Sequence, residues 1–262
     1  MVFSSREQII EPCILQGFEY QIDPYIGCAH RCRYCYTQNR SEVAWESEVG
    51  VYRDFEERLL RELSCLDAQT IYIGMNTDPY QPVEKEWRHT RSALRLLSSR
   101  GFSACILTKS DLVLRDIDLL KEISDASVGV SIAFGDEATR RTFERNAGSN
   151  RERMQALERL RKEKIETYVL ISPVMPYITP VAALIEEARP YADTIWFYPL
   201  EVNSKEEKNW LRIKETIDEK FPQIGDEFER AVFSSDNGYW NGIREELEAI
   251  RRRGDVNLEI HV

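Results

Sequence analysis

Cysteine is missing from the chain after Cys105, and three of the six cysteines present crowd into eight residues, at 28, 32 and 35. A disulfide framework spreads its staples along a chain, so this asymmetry argues against a disulfide scaffold and for metal ligation. No run approaches the ~18 apolar residues of a membrane span. The N-terminal MVFSSREQIIEPCILQG lacks the basic, apolar and small-residue succession of a signal peptide, so the default expectation is cytoplasmic. A basic excess is also lacking: 45 acidic residues stand against 35 basic ones, a net charge of −10. Duplex nucleic acid, bound mainly through phosphate neutralisation, is therefore disfavoured as a partner. There is no Gly/Ser linker, low-complexity segment or short-period repeat.

What is present is alternation. Short apolar runs, TIYIGM (70–75), FSACILTKS (102–110), SVGVSIAF (127–134), ETYVLISPV (166–174) and DTIWFYPLE (193–201), are each followed by a charged amphipathic stretch or tail. Nearly continuous apolar runs of this length suit strands buried on both faces of a parallel sheet. With an entry strand in ILQGFEYQI, about six βα units result, fitting a partial (β/α)6 barrel or an open doubly wound sheet. The economical division is a core over 1–201, with its cysteine loop at 24–36, and a helical extension over 202–262 in the same domain. In that extension FSSDNGYWNG (233–242) reads as a loop and VNLEIHV as a strand.

The loop GCAHRCRYCY (27–36) follows the first predicted strand, where parallel α/β folds place ligands. Three soft thiolates suit zinc or an iron–sulfur cluster. Structural zinc needs a fourth ligand, and the obvious one, His30, sits inside the same tight loop between two of the cysteines. A [4Fe–4S] cube on three cysteines leaves one iron open to a small chelating molecule. Zinc binding and simple electron transfer stand as the non-catalytic alternatives.

The loop resembles that of radical S-adenosylmethionine (SAM) enzymes, and YQIDPYIGCAHRCRYCY (20–36) resembles the spore photoproduct lyase-like group. That group usually has Asn where Asp23 stands and often Gly where Arg31 stands. GMNTDPYQPVEKEWRHTR (74–91), TKSDLVLRDIDLL (108–120) and VSIAF (130–134) extend the resemblance to about Pro176. It implies a [4Fe–4S] cluster on Cys28, Cys32 and Cys35, SAM as second cofactor, and an external one-electron donor such as flavodoxin or ferredoxin. It also implies reductive cleavage of SAM to a 5′-deoxyadenosyl radical that abstracts hydrogen from a substrate.

The same resemblance assigns SAM contacts to Asn76, Thr77 and Asp78 after the second strand, Lys109 after the third, Ser131 in the fourth, Arg141 and Glu144 beyond it, and Pro173 in the fifth. Tyr34 is expected near adenine, and Tyr34 and Tyr36 are the candidates for radical handling. The lyase's hydrogen-donating cysteine is matched here by Met75, whose thioether cannot return a hydrogen atom. With the acidic charge, this turns the expectation from a DNA photoproduct or modified base towards a small metabolite or peptide. Cys13, Cys65 and Cys105 read as ordinary structural cysteines, and no auxiliary cluster motif is present.

Overall fold

The computed structural model describes residues 1–234, 238–254 and 256–262. They form two compact units. The first comprises residues 1–30, 41–130 and 151–167; the second comprises 31–40, 131–150 and 168–262. The class is α/β, with mostly parallel strands and flanking helices.

In the first unit β1 (Val2–Phe3) pairs with β4 (Gly50–Val51). The main strands are β2 (Ile10–Pro12), β3 (Tyr20–Ile22), β5 (Thr70–Ile73), β6 (Ser103–Thr108) and β7 (Ser127–Ile132), whose last two residues belong to the second unit. β2 is antiparallel to β3; the β3–β5, β5–β6 and β6–β7 pairs are parallel. The entry strand is shorter than ILQGFEYQI, because Leu15 and Phe18 close a turn ahead of it through the Phe18 N–H. Ile71, Ile73, Ile106, Val128 and Val130 are fully buried. Each is worth roughly 1.5–3 kcal/mol of transfer free energy.

The helix His89–Arg100 buries Thr90, Ala93, Leu94 and Leu97 at helical spacing and packs on Phe55–Leu63, which buries Phe55, Leu59 and Leu63. Cys65 lies just past the latter helix and is exposed. The amphipathic stretch after Asp116 forms one α-turn, Ile117–Leu120, after a 3-10 segment. Gly74 leaves β5 at φ +105°, and a Cβ there would lie 2.6 Å from the Leu107 carbonyl oxygen. Only glycine fits this exit.

The second unit holds β8 (Glu166–Val174), whose first two residues belong to the first unit, β9 (Thr194–Pro199) and β10 (Asn257–Ile260), paired in parallel in that order. The extension forms helices Lys208–Lys220, Gly225–Phe233 and Gly238–Arg251. The expected loop at 233–242 is thus corrected: Tyr239 to Gly242 are helical, Phe233 ends the preceding helix, and 235–237 lie outside the described residues. Trp210, Ile213, Ile217 and Phe228 share one apolar cluster with Cys32, Tyr34, Phe134 and Phe143. The extension and the second half of the cysteine loop therefore share a core. No helix among the described residues is long and apolar enough to cross a membrane.

Candidate functional site

In the first unit, the turn after β5 grips the start of the cysteine loop. Thr77 Oγ1 donates to the Gly27 carbonyl at 2.6 Å, and Gln81 Nε2 donates to the same carbonyl at 3.2 Å and to Thr77 Oγ1 at 2.8 Å. Gln81 Oε1 accepts from the Ala29 N–H at 2.8 Å, so one amide holds the backbone on both sides of Cys28. Gly27 has φ +73°, and a Cβ on it would lie 2.8 Å from Val43 Cγ2. Asp23 is buried and accepts from the Asn76 N–H at 2.8 Å and its Nδ2 at 2.7 Å. Burial raises the Asp23 pKa, and Asn76 partly opposes that shift.

Asp78 is equally engaged. It accepts from Thr108 Oγ1 at 2.6 Å, the Lys109 N–H at 2.7 Å and the Tyr80 N–H at 2.9 Å. His30 Nδ1 lies 3.3 Å from Asp78 Oδ2. Burial alone would raise the Asp78 pKa, but His30 and these donors lower it to about 2. Burial would lower that of His30, but Asp78 and Cys28 raise it to about 10. Burial would likewise raise the Cys28 thiol, and His30 lowers it. His30 thus lies between the Asp78 carboxylate and the Cys28 thiol.

Between His30 and Arg31 the chain passes into the second unit, and Arg31 has φ +52°. That left-handed conformation explains why glycine suits this position in similar loops. Gln38 Nε2 donates to the carbonyls of Arg33 and Cys35, both at 2.9 Å. The Arg33 N–H donates to the Phe143 carbonyl at 2.9 Å, and Asn209 Nδ2 donates to those of Tyr34 at 3.4 Å and Glu201 at 2.9 Å. The Tyr34 hydroxyl donates to Glu144, which is fully buried where the helix Glu137–Phe143 ends.

The sequence-derived residues thus divide. Cys28, Asn76, Thr77, Asp78 and Lys109 lie in the first unit; Cys32, Tyr34, Cys35, Tyr36, Ser131, Arg141, Glu144 and Pro173 lie in the second. Ser131 Oγ donates to the Ser172 carbonyl at 3.1 Å, and Pro173 is buried in β8. The Tyr36 ring lies under the Arg40 guanidinium, 5.1 Å away. Arg141 is exposed beside Glu137; its neighbour Arg140 is the buried one, donating to the carbonyls of Glu144 at 3.0 Å and Ala147 at 3.1 Å. Gln81, Gln38 and Asn209 were not among the expected site residues. The signal for Gln81 was its place in NTDPYQP; Asn209 has none, since its partners Asn39 and Tyr34 lie 170 and 175 positions away.

All six cysteines are free thiols. Among the described residues no three His, Cys, Asp or Glu side chains are gathered as for a single metal ion. An α/β fold with a three-thiol loop after its first parallel strand is the architecture of a class of α/β enzymes that carry a metal–sulfur centre, and the family match places the chain in it. The Radical SAM superfamily model matches residues 22–188, and the chain belongs to that superfamily, whose cofactors are a [4Fe–4S] cluster and SAM.

An uncharacterized protein of Methanocaldococcus jannaschii is 29% identical over 248 residues, 93% of this chain and 90% of that protein. One from Mycobacterium tuberculosis is 30% identical over 174 residues, 62% of this chain. That match spans 51% of the mycobacterial protein's length. Among solved structures, spore photoproduct lyase with bound AdoMet and dinucleoside spore photoproduct superposes with a TM-score of 0.66 at 15% identity. The match covers 85% of this chain and 66% of the lyase, and at this identity it shows the fold.

The residues present fit the superfamily's cluster. The loop offers three soft thiols, its backbone is hydrogen-bonded at Gly27, Ala29, Arg33 and Cys35, and the buried Thr37 Oγ1, two residues past Cys35, has no hydrogen-bond partner among the described residues.

Proposed function

We propose that Cys28, Cys32 and Cys35 hold a [4Fe–4S] cluster with one iron left for SAM, and that the chain uses it on a small metabolite or a peptide. When bound, the pair supplies a one-electron reductive cleavage giving a 5′-deoxyadenosyl radical able to abstract hydrogen; the electron comes from an external donor of the flavodoxin or ferredoxin class. The observation carrying this reading is the loop itself: three cysteines within eight residues, its backbone held at Gly27, Ala29, Arg33 and Cys35 by Gln81 and Gln38, in a chain whose residues 22–188 match the Radical SAM superfamily.

The chain's own residues divide the remaining work. Thr77, Gln81 and Gln38 fix the loop backbone. Asp78 fixes the turns after β5 and β6, which hold Asn76 and Lys109, the residues that would contact SAM there. Ser131 would face the methionyl carboxylate, and Tyr34, tied to Glu144, and Pro173 would line the adenosyl side, with Arg140 rather than Arg141 bracing the Glu144 turn. Tyr36, under Arg40, is the second tyrosine for radical handling.

Likeness to spore photoproduct lyase favours a second reading, repair or modification of nucleic acid. Met75 at the hydrogen-donor position and the net charge of −10 weigh against it. Anaerobic reconstitution with iron and sulfide, then SAM and a reductant, tests the proposal. 5′-Deoxyadenosine is expected, and its absence with the cluster intact overturns the reading. Cys32→Ala should lose the cluster, whereas retention of about four irons per chain overturns the ligand assignment.

A further inference from the structure

Two glutamines, one in each unit, do the same thing to the cysteine loop. Gln81 places its oxygen on the Ala29 N–H and its NH2 on the Gly27 carbonyl, bracketing Cys28. Gln38 places both N–H groups on the carbonyls of Arg33 and Cys35, bracketing Tyr34 and Cys35. Gln38 Oε1 is buried with no hydrogen-bond partner among the described residues, so donation is this side chain's whole contribution. Both side chains are buried. Their bonds to the loop go to its backbone, and Gln81 Nε2 also donates to Thr77 Oγ1 at 2.8 Å.

The loop's own backbone bonds, Cys35 N–H to the Cys32 carbonyl at 3.2 Å and Gln38 N–H to the Cys35 carbonyl at 3.4 Å, lie in its second half. Gly27 and Arg31 both have positive φ, and for Arg31 that conformation is unfavourable without glycine's freedom. A strained loop persists only where its surroundings over-determine it. A thiol triad that must be ordered at the moment of binding pays that ordering from its affinity, whereas one already ordered does not. Neutral amides suit the task because they add no charge beside a cluster.

We propose that Gln81 and Gln38 are positioning residues that set the cysteine loop before any cluster binds, and so govern how tightly the cluster is kept. This rests on the reading of Cys28, Cys32 and Cys35 as cluster ligands.

The test compares wild-type protein with Gln81→Met and Gln38→Met, which keep the length and lose the polar atoms. In the apo-proteins, amide hydrogen exchange over residues 27–38 is expected to quicken about ten-fold, the size of losing one or two neutral hydrogen bonds, with β5–β7 unchanged. In the reconstituted proteins, a chelator should strip iron about ten-fold faster, and the reduced-cluster EPR signal should broaden. Gln81→Glu keeps the acceptor for Ala29 and should recover part of the protection; Gln38→Glu keeps no donor and should recover none.

Unchanged exchange and unchanged iron loss in both methionine variants overturn the proposal, as does equal recovery by the two glutamates. Exchange that quickens throughout the protein also overturns it, because the role would then be general stability. If one methionine variant does not fold, the other and its glutamate counterpart decide. If the wild type itself takes up no cluster, the proposed function fails, and the exchange of the apo-proteins alone decides whether the glutamines set the loop.

Discussion

Glu84 and Arg115 meet at 2.5 Å, Oε1 to Nη2, with the carboxylate fully buried. The same carboxylate accepts from the Tyr25 hydroxyl and from the N–H groups of Thr90 at 3.0 Å and Arg91 at 3.2 Å, at the start of the helix His89–Arg100. Arg115 also reaches Asp116, another fully buried carboxylate, at 2.7 Å. Asp116 also keeps Arg91 Nη1 at 2.7 Å, so removing Arg115 leaves the buried Glu84 the less compensated of the two. Arg115→Met should cost about 3 kcal/mol in urea unfolding. Replacing Glu84 with Gln in that background should recover part of the loss; additive losses would show the two residues uncoupled.

His89 predicts a pH dependence. Its ring stacks on Phe55 at 4.4 Å and on Tyr25 at 5.3 Å, and its Nε2 is buried with no partner among the described residues. Burial disfavours the imidazolium and lowers the pKa from 6.5 to about 4, the hydrogen bond to the Tyr52 backbone opposing only weakly. Between these values the unfolded chain binds the proton and the folded one does not. Stability from this group is therefore present above pH 6.5 and lost as pH falls towards 4, by about 3 kcal/mol. Urea midpoints across that range should show the slope, and His89→Phe should flatten it. An equal slope in the variant would assign the dependence elsewhere.

Gly74 predicts a backbone effect. A Cβ at this position meets the Leu107 carbonyl oxygen at 2.6 Å and Pro79 Cδ at 2.8 Å, at a φ that L-residues rarely adopt. Gly74→Ala should destabilise the protein by about 2 kcal/mol or more, because neither neighbour is a flexible side-chain end. It should also displace the 76–81 turn, so iron retention should fall with stability; a neutral thermal shift would refute the steric argument.

These residues mark where sequence was readable and where it was not. Five parallel strands are visible as apolar runs, because burial on both faces leaves a nearly continuous apolar signature, and β8 spans the full ETYVLISPV. The three cysteines are visible because their spacing is local. The short length of the entry strand and the early start of the last helix, at Gly238, were not, since a three-residue strand and an aromatic, glycine-flanked helix start carry turn-like composition. Local spacing also says nothing of partners. Asp23 in place of Asn becomes intelligible only once Asn76 is seen on its carboxylate, and the choice between Arg140 and Arg141 needs the helix phase that buries one and exposes the other.

Asn209 is the clearest case of a role invisible in the sequence. It stands in a charged helix, yet it is fully buried, donates to the carbonyls of Tyr34 and Glu201, and accepts from Asn39 Nδ2 at 3.0 Å. Its own backbone N–H meets Asn39 Oδ1 at 3.1 Å. A leucine of similar volume would leave these buried polar groups unsatisfied, each at roughly 1–3 kcal/mol. Asn209→Leu should therefore cost about 2–4 kcal/mol in urea unfolding and loosen the segment from Tyr34 to Asn39. Hydrogen exchange confined to that segment and the helix Lys208–Lys220 is the expected signature. Iron retention should fall with it, because Cys35 lies inside the loosened stretch. Full retention with weakened stability would separate the extension's contribution to the fold from any contribution to the cysteine loop.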